Sequence, residues 1–230
     1  MRIVIVAGPP SAGKTAIILH AAAVLQGQGL RPAGIKFDTR SSSDPERYRR
    51  LGMPAQSGLS GYLCPDHYFI SNMEEAENWG RSVGADLLFI ETAGLCLRCA
   101  PHVEGIPAIT VIDSLGGLDC AAKMGPMLTL ADAVVLTKGD LVSQAEREIL
   151  LHSIREVAPT GRVLAVNGLS GTGTLPLLAA LDDLTSGSMS QAKLRHDMPA
   201  AICSYCTGER RIGARFQSGN VEKVQWTEAS

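Results

Sequence analysis

The chain has 230 residues, a formal net charge of −2 and only 4% aromatic residues. That length supports one good-sized core, packed mainly with aliphatic side chains, plus a small appendage. The near-zero charge excludes a global field for nucleic acid or an anionic membrane, and no run of 18 apolar residues offers a membrane-spanning helix.

The expected elements alternate between strand and helix. An apolar run at 3–7 reads as a strand buried on both faces. It leads into Gly8-Pro9-Pro10-Ser11-Ala12-Gly13-Lys14-Thr15, which fits G-x-x-x-x-G-K-[ST], and a helical pattern follows at 14–26. Such a loop aims backbone N–H groups at a phosphate, and glycine permits the close approach. Gly8 to Thr15, with Ala16 after them, are therefore candidate nucleotide contacts. Lys14 is suited to the β- and γ-phosphates, and Thr15 to Mg²⁺.

The next strand, 33–37, ends at Asp38 in Lys36-Phe37-Asp38-Thr39-Arg40. After a helix at 74–83, a third strand, 87–91, ends at Glu91, with Gly94 close behind. Asp38 and Glu91 are candidates to hold Mg²⁺, directly or through water, or to position an attacking water. Lys14, Asp38 and Glu91 are thus the catalytic candidates, and Gly94 a contact to the γ-phosphate. A turn or capping role is the alternative for Asp38.

Strands at 109–113 and 133–137 follow, and the latter runs into Thr137-Lys138-Gly139-Asp140. This fits the N/T-K-x-D pattern for reading guanine: Asp140 accepts from N1–H and the 2-amino group, and Lys138 lies along the ring. An ordinary strand-exit turn is the alternative. A helix at 144–157 and a strand at 163–166 then lead to Asn167-Gly168-Leu169, where a second base loop belongs. GTP is accordingly favoured over ATP. A helix at 175–184 closes a doubly covered, mostly parallel sheet of the P-loop NTPase kind, with its ligand at the strand C-termini.

The composition shifts at 185–191, which reads as a linker. We expect a nucleotide domain at 1–185 and a small tail at 186–230, with a β-hairpin formed by 211–217 and 221–226. Met1 to Gly8 reads as strand rather than signal peptide, so a cytoplasmic location is expected.

In a reducing compartment the six cysteines favour metal or redox roles over structural disulfides. Cys64 and His67 flank Pro65 and Asp66. Across a two-fold axis two copies supply an S₂N₂ set suited to Ni²⁺ or Zn²⁺; a packed Cys and a surface His are the alternative. Cys96-x-x-Cys99 follows the strand end at Glu91, and the tail carries Cys203-x-x-Cys206. Four thiolates suit Zn²⁺ or an iron–sulfur cluster; a buried structural pair or a thiol–disulfide couple is the alternative. Cys120 reads as structural, His20 as a packing or surface residue, and His102 as an ordinary histidine or an extra ligand.

Over 1–184 these residues resemble the metallochaperone GTPases of the signal-recognition/MinD-like class, which serve hydrogenase and urease maturation and cobalamin biosynthesis. The resemblance rests on Gly8 to Thr15, Asp38, Glu91-Thr92-Ala93-Gly94, Thr137 to Asp140 and 167–173. It implies a homodimer formed with GTP and Mg²⁺, a transition metal held near the switches, and its release to a client metalloenzyme or that enzyme's maturation factors on hydrolysis. The urease-type member has Cys-Pro-His, whereas this chain has an inserted Asp66, and the two C-x-x-C pairs also depart from that pattern. Hydrolysis is expected to be slow, because no arginine finger is identifiable from the pattern. The rival expectation is an ATP-driven reductive activator with an iron–sulfur cluster shared between subunits.

Overall fold

Continuous aliphatic runs make the strands, and strands buried on both faces require helices on either side. The computed structural model describes residues 1–94, 101–184, 187–189, 192–196, 208–219 and 221–226. The first half of the chain contains β1 (Arg2–Ala7), α1 (Lys14–Gly27), β2 (Pro32–Asp38), α2 (Asp44–Arg50), β3 (Ala55–Leu59), α3 (Pro65–Ser71), α4 (Met73–Ser82) and β4 (Leu87–Glu91). The second half contains β5 (Ala108–Asp113), α5 (Cys120–Met124), α6 (Pro126–Thr129), β6 (Ala133–Thr137), a 3₁₀ turn at Gly139–Leu141, α7 (Gln144–Val157), β7 (Arg162–Ala165) and α8 (Thr174–Asp182).

The seven strands form one sheet in the order β3-β2-β4-β1-β5-β6-β7, and every pairing is parallel. All strand C-termini therefore lie along one edge. The connections run to opposite sides of β1, which makes the C-terminal end of β1 the switch point where a ligand crevice opens. Alternation along the strands divides the core. Ile3, Ile5, Ile35, Phe37 and Ile90 face α3 and α4, whereas Val4, Val6, Phe89 and Val111 face α1 and α8.

Six of the strands were expected from their apolar runs. The seventh, β3, reads Ala-Gln-Ser-Gly-Leu and carries no such run. It is a strand because Gly58 lets it lie close over the Phe37 ring, where a Cβ would come within 2.6 Å. At the other edge β7 is half-exposed rather than buried on both faces. Helix α7 starts where its sequence says it should, with Ser143 and Glu146 forming a capping box.

Among the described residues the expected C-terminal hairpin forms no strand pairing. Residues 213–216 turn tightly, with the Phe216 N–H donating to Gly213 O at 3.1 Å, and the antiparallel bridges are Val103 with Leu194 and Lys193 with Arg211. The chain is held by side chains instead of a ladder. Met189, Leu194, Ile212 and Val224 are buried in the same cluster as Ile3 and Phe37. Arg195 donates to Leu130 O and Ile106 O, each at 2.7 Å, and pairs with Asp132 at 2.7 Å.

Asn72, fully buried between α3 and α4, takes the place of a strand partner for the tail. Its Nδ2 donates to Glu222 O at 2.8 Å, and its Oδ1 accepts from the Val224 N–H at 2.8 Å. Asn72→Ala leaves those backbone groups unpaired, so urea unfolding should show a loss of about 2–4 kcal/mol. Asn72→Asp keeps the acceptor but sets a buried carboxylate oxygen against the Tyr68 and Glu222 carbonyls, and should lose at least as much.

Candidate nucleotide and metal site

The phosphate loop joins β1 to α1 at the switch point. Gly8 has φ 137°, and a Cβ there would lie 2.0 Å from Val111 O. Gly94 has φ 75°, and its Cβ would lie 1.7 Å from Gly8 O. Both positions therefore need glycine. Gly94, expected as a γ-phosphate contact, lies against the loop at Gly8. Helix α1 starts after Gly13, with no side-chain cap and no acidic residue in its first turn. Its first amides are left to an anion.

The Lys14 ammonium donates to Gly8 O and Pro9 O, each at 2.8 Å. Burial, and then the neighbouring Lys36 charge, lower its pKa to about 8. Its two carbonyl partners are neutral, so an incoming phosphate is the better acceptor.

Glu91, expected on the Mg²⁺ side, is the most heavily bonded carboxylate of the cavity. It is 1% exposed and accepts from Thr15 Oγ1 at 3.0 Å and 3.1 Å, from Lys36 Nζ at 2.7 Å and from the Tyr48 hydroxyl at 2.5 Å. Burial, then the Glu91 charge, hold the Tyr48 pKa well above its usual value. Lys36 also lies 3.6 Å from Asp44 and 4.0 Å from Asp38, so one ammonium is shared among three carboxylates. Asp38 accepts from the Thr39 N–H at 2.8 Å, a turn contact, and still lines the cavity. That cavity, about 390 Å³, is walled by Ser11, Lys14, Thr15, Lys36, Asp38, Arg47 and Glu91, among others. The hard oxygen donors Thr15, Asp38 and Glu91 fit Mg²⁺.

An adjoining cavity of about 240 Å³ is lined by Gly13, Ala16, Thr137, Lys138, Asp140, Leu141, Asn167, Gly168 and Leu169. The two expected base loops thus meet in one pocket beside the phosphate loop. Thr137 Oγ1 donates to Ala12 O at 2.6 Å, so this threonine ties the base loop to the phosphate loop. Lys138 has φ 56° and is held by Asp113 at 3.0 Å. Asn167 Oδ1 accepts from the N–H groups of Leu169 and Ser170 at 2.8 and 3.0 Å, which shapes the second loop. His20 Nε2 hydrogen bonds to Gly168 O at 3.0 Å.

Several site residues were not visible in the sequence. Tyr48, Asp44 and Arg47 ride on α2, whose seven residues lack an apolar repeat. Asp113 and His20 act on the base loops from other elements. The strand-end position of Asp113 was the one available signal.

The cysteine and histidine candidates divide. Cys64 is exposed at the start of α3, whereas His67 is 1% exposed, so the two side chains are not presented together at the surface. Between them Asp66 is 1% exposed, and burial raises its pKa to about 7. Cys96, Cys99, Cys203 and Cys206 lie outside the described residues. Among the described residues no three His, Cys, Asp or Glu side chains form a group able to hold a metal ion. Cys120 is half-buried, and burial raises its thiol pKa.

His102 is fully buried, and its Nε2 hydrogen bonds to Met127 O at 3.0 Å. Burial, aided by the Arg195 and His196 charges and opposed by the Met127 hydrogen bond and the Asp132 charge, lowers its pKa to about 4. The unfolded chain protonates this ring near pH 6.5 and the folded chain only near pH 4, so stability is full above 6.5 and falls as pH drops toward 4. Urea unfolding should register a loss of about 3 kcal/mol across that window, largely absent in His102→Gln.

Residues 2–165 match the family described as CobW/HypB/UreG, nucleotide-binding domain. An uncharacterized protein, MJ0120, of Methanocaldococcus jannaschii is 41% identical over 225 residues, spanning 97% of this chain and 96% of its own length. The urease accessory protein UreG 2 of Methylobacterium radiotolerans is 31% identical over 180 residues, covering 73% of this chain and 86% of its own. Among solved structures, the hydrogenase maturation factor HypB of Archaeoglobus fulgidus superposes with a TM-score of 0.63 at 21% identity, over 80% of this chain and 89% of that one. HypB from Helicobacter pylori in complex with nickel gives 0.63 at 18% identity, over 82% and 91%. The chain belongs to the CobW/HypB/UreG family of P-loop GTPase domains.

Proposed function

We propose that this protein is a GTP-hydrolysing metallochaperone that binds a transition metal in one nucleotide state and releases it in another. The observation that carries this is the joined pair of cavities. A phosphate pocket with Lys14, Thr15 and Glu91 opens beside a base pocket with Asp140 and Lys138, linked through Thr137 and Ala12. The carboxylate of Asp140 suits the N1–H and 2-amino donors of guanine, which adenine does not match.

Lys14 exchanges its two carbonyl partners for the β- and γ-phosphates. Asp38 and Glu91 orient the attacking water, and Gly94 is the backbone contact that registers the γ-phosphate. Thr15, with Asp38 and Glu91, holds Mg²⁺, which when bound neutralises charge between the β- and γ-phosphates.

The cargo reading rests on the cysteines and on family membership. Cys96 with Cys99, and Cys203 with Cys206, are the proposed ligands, with the exposed Cys64 as a further thiol and Ni²⁺ or Zn²⁺ as the metals suited to S donors with N; the buried His67 is not presented at the surface with Cys64. Described residues that flank the two C-x-x-C pairs meet: the Arg195 N–H donates to His102 O at 2.9 Å. We infer a nucleotide-dependent homodimer in the cytoplasm, with a client metalloenzyme or its maturation factors as partner and no role for nucleic acid or membrane.

The test is anaerobic purification with elemental analysis, followed by Ni²⁺ and Zn²⁺ titration in the presence of GDP and of a non-hydrolysable GTP analogue. The reading expects a colourless protein whose metal affinity differs at least about tenfold between the two states. Equal affinity in both states contradicts it, and so does a brown iron–sulfur chromophore with a preference for ATP.

A further inference from the structure

Helix α2 brings an arginine to the phosphate cavity. Asp44, Arg47 and Tyr48 occupy positions i, i+3 and i+4, which share one helix face. Tyr48 anchors that face through Glu91. Asp44 lies 3.6 Å from Lys36 and 3.3 Å from Arg47. Arg47 is the arginine in the described lining of the cavity that holds Lys14, Thr15 and Glu91. Its helix neighbour Arg49 is directed elsewhere, donating to Ala55 O at 2.9 Å.

Arg47 is held loosely. Its side chain is 46% exposed and contacts Asp44 through one nitrogen. Exposed ion pairs of this kind contribute little. A γ-phosphate entering the cavity carries more charge and accepts two parallel N–H bonds from a guanidinium. The helix that carries Arg47 is fixed at both ends of the exchange, by Tyr48 on Glu91 and by Asp44 on Lys36. The guanidinium can therefore move without moving the backbone.

We propose that Arg47 is a catalytic residue of GTP hydrolysis, acting in cis: with GTP bound, its guanidinium leaves Asp44 and binds the γ-phosphate. In the step it serves, a water oxygen bonds to the γ-phosphorus. The bond from that phosphorus to the β–γ bridging oxygen breaks, and its electron pair departs with GDP. The water proton passes to the released phosphate. Arg47 stabilises the charge spread over the γ-phosphoryl oxygens as that bond breaks. Nothing is oxidised or reduced.

The proposal rests on the GTPase reading, and the experiment separates the two. Single-turnover GTP hydrolysis is measured for the wild-type chain, Arg47→Ala and Arg47→Lys, together with binding of GDP alone and of GDP with aluminium fluoride. Arg47→Ala should slow hydrolysis by about 10²–10³-fold and lose the fluoride-dependent gain in affinity, with GDP affinity and melting temperature unchanged. Arg47→Lys should recover part of the rate, because it restores charge without the bidentate fork. A wild-type rate in Arg47→Ala overturns the proposal. So does a fall in GDP affinity by the same factor as the rate, which marks a merely structural residue. Absence of turnover in the wild-type chain itself overturns the GTPase reading and this proposal with it.

Discussion

The buried carboxylate of Glu91 is the constraint on which the site depends. It stands at the C-terminal end of β4, paired in register with Val6 of β1 on one side and Lys36 of β2 on the other. A carboxylate that is 1% exposed costs several kcal/mol unless its oxygens are satisfied. Three different elements satisfy it: Thr15 from α1, Lys36 from β2 and Tyr48 from α2. The Thr15 hydroxyl, the second strand and the arginine-bearing helix are therefore tied to one carboxylate. Whatever draws Thr15 away from Glu91 also changes what Lys36 and Tyr48 must do.

A second tie gives the nucleotide its other half. Thr137 Oγ1 bonds to Ala12 O, so the base pocket cannot shift independently of the phosphate loop. Lys138 and Asn167 are in turn held by Asp113 and by the backbone of their own loop. The base pocket is thus shaped by contacts within the chain itself.

How far this was legible in the sequence follows from the kind of signal each element carries. Apolar runs at β1, β2, β4, β5 and β6 are long enough to read, and the phosphate and base loops fall at their ends. Strand β3 and helix α2 have no such pattern. The strand depends on a glycine under Phe37, and the helix on contacts from Tyr48 and Asp44 to distant residues. That is why Glu91 and Asp38 stand out as candidates in the sequence, whereas Tyr48, which bonds Glu91, and Arg47, which lines the same cavity, do not. The hairpin expected in the tail is not seen among the described residues for a related reason. Alternation at 211–217 suggested a ladder, but burial of Ile212 in the main core and the Asn72 side chain organise that segment instead.

The proposed coupling of nucleotide to transition metal centres on Glu91, which lies against Thr15 of the phosphate site. The direct measurement is the Zn²⁺ and Ni²⁺ affinity of the wild-type chain and of Glu91→Gln, each with GDP and with a non-hydrolysable GTP analogue. The account predicts a difference of about tenfold or more between nucleotide states in the wild type, and none in Glu91→Gln although it still binds nucleotide. A Glu91→Gln protein that keeps the full difference between GDP and GTP states would contradict it.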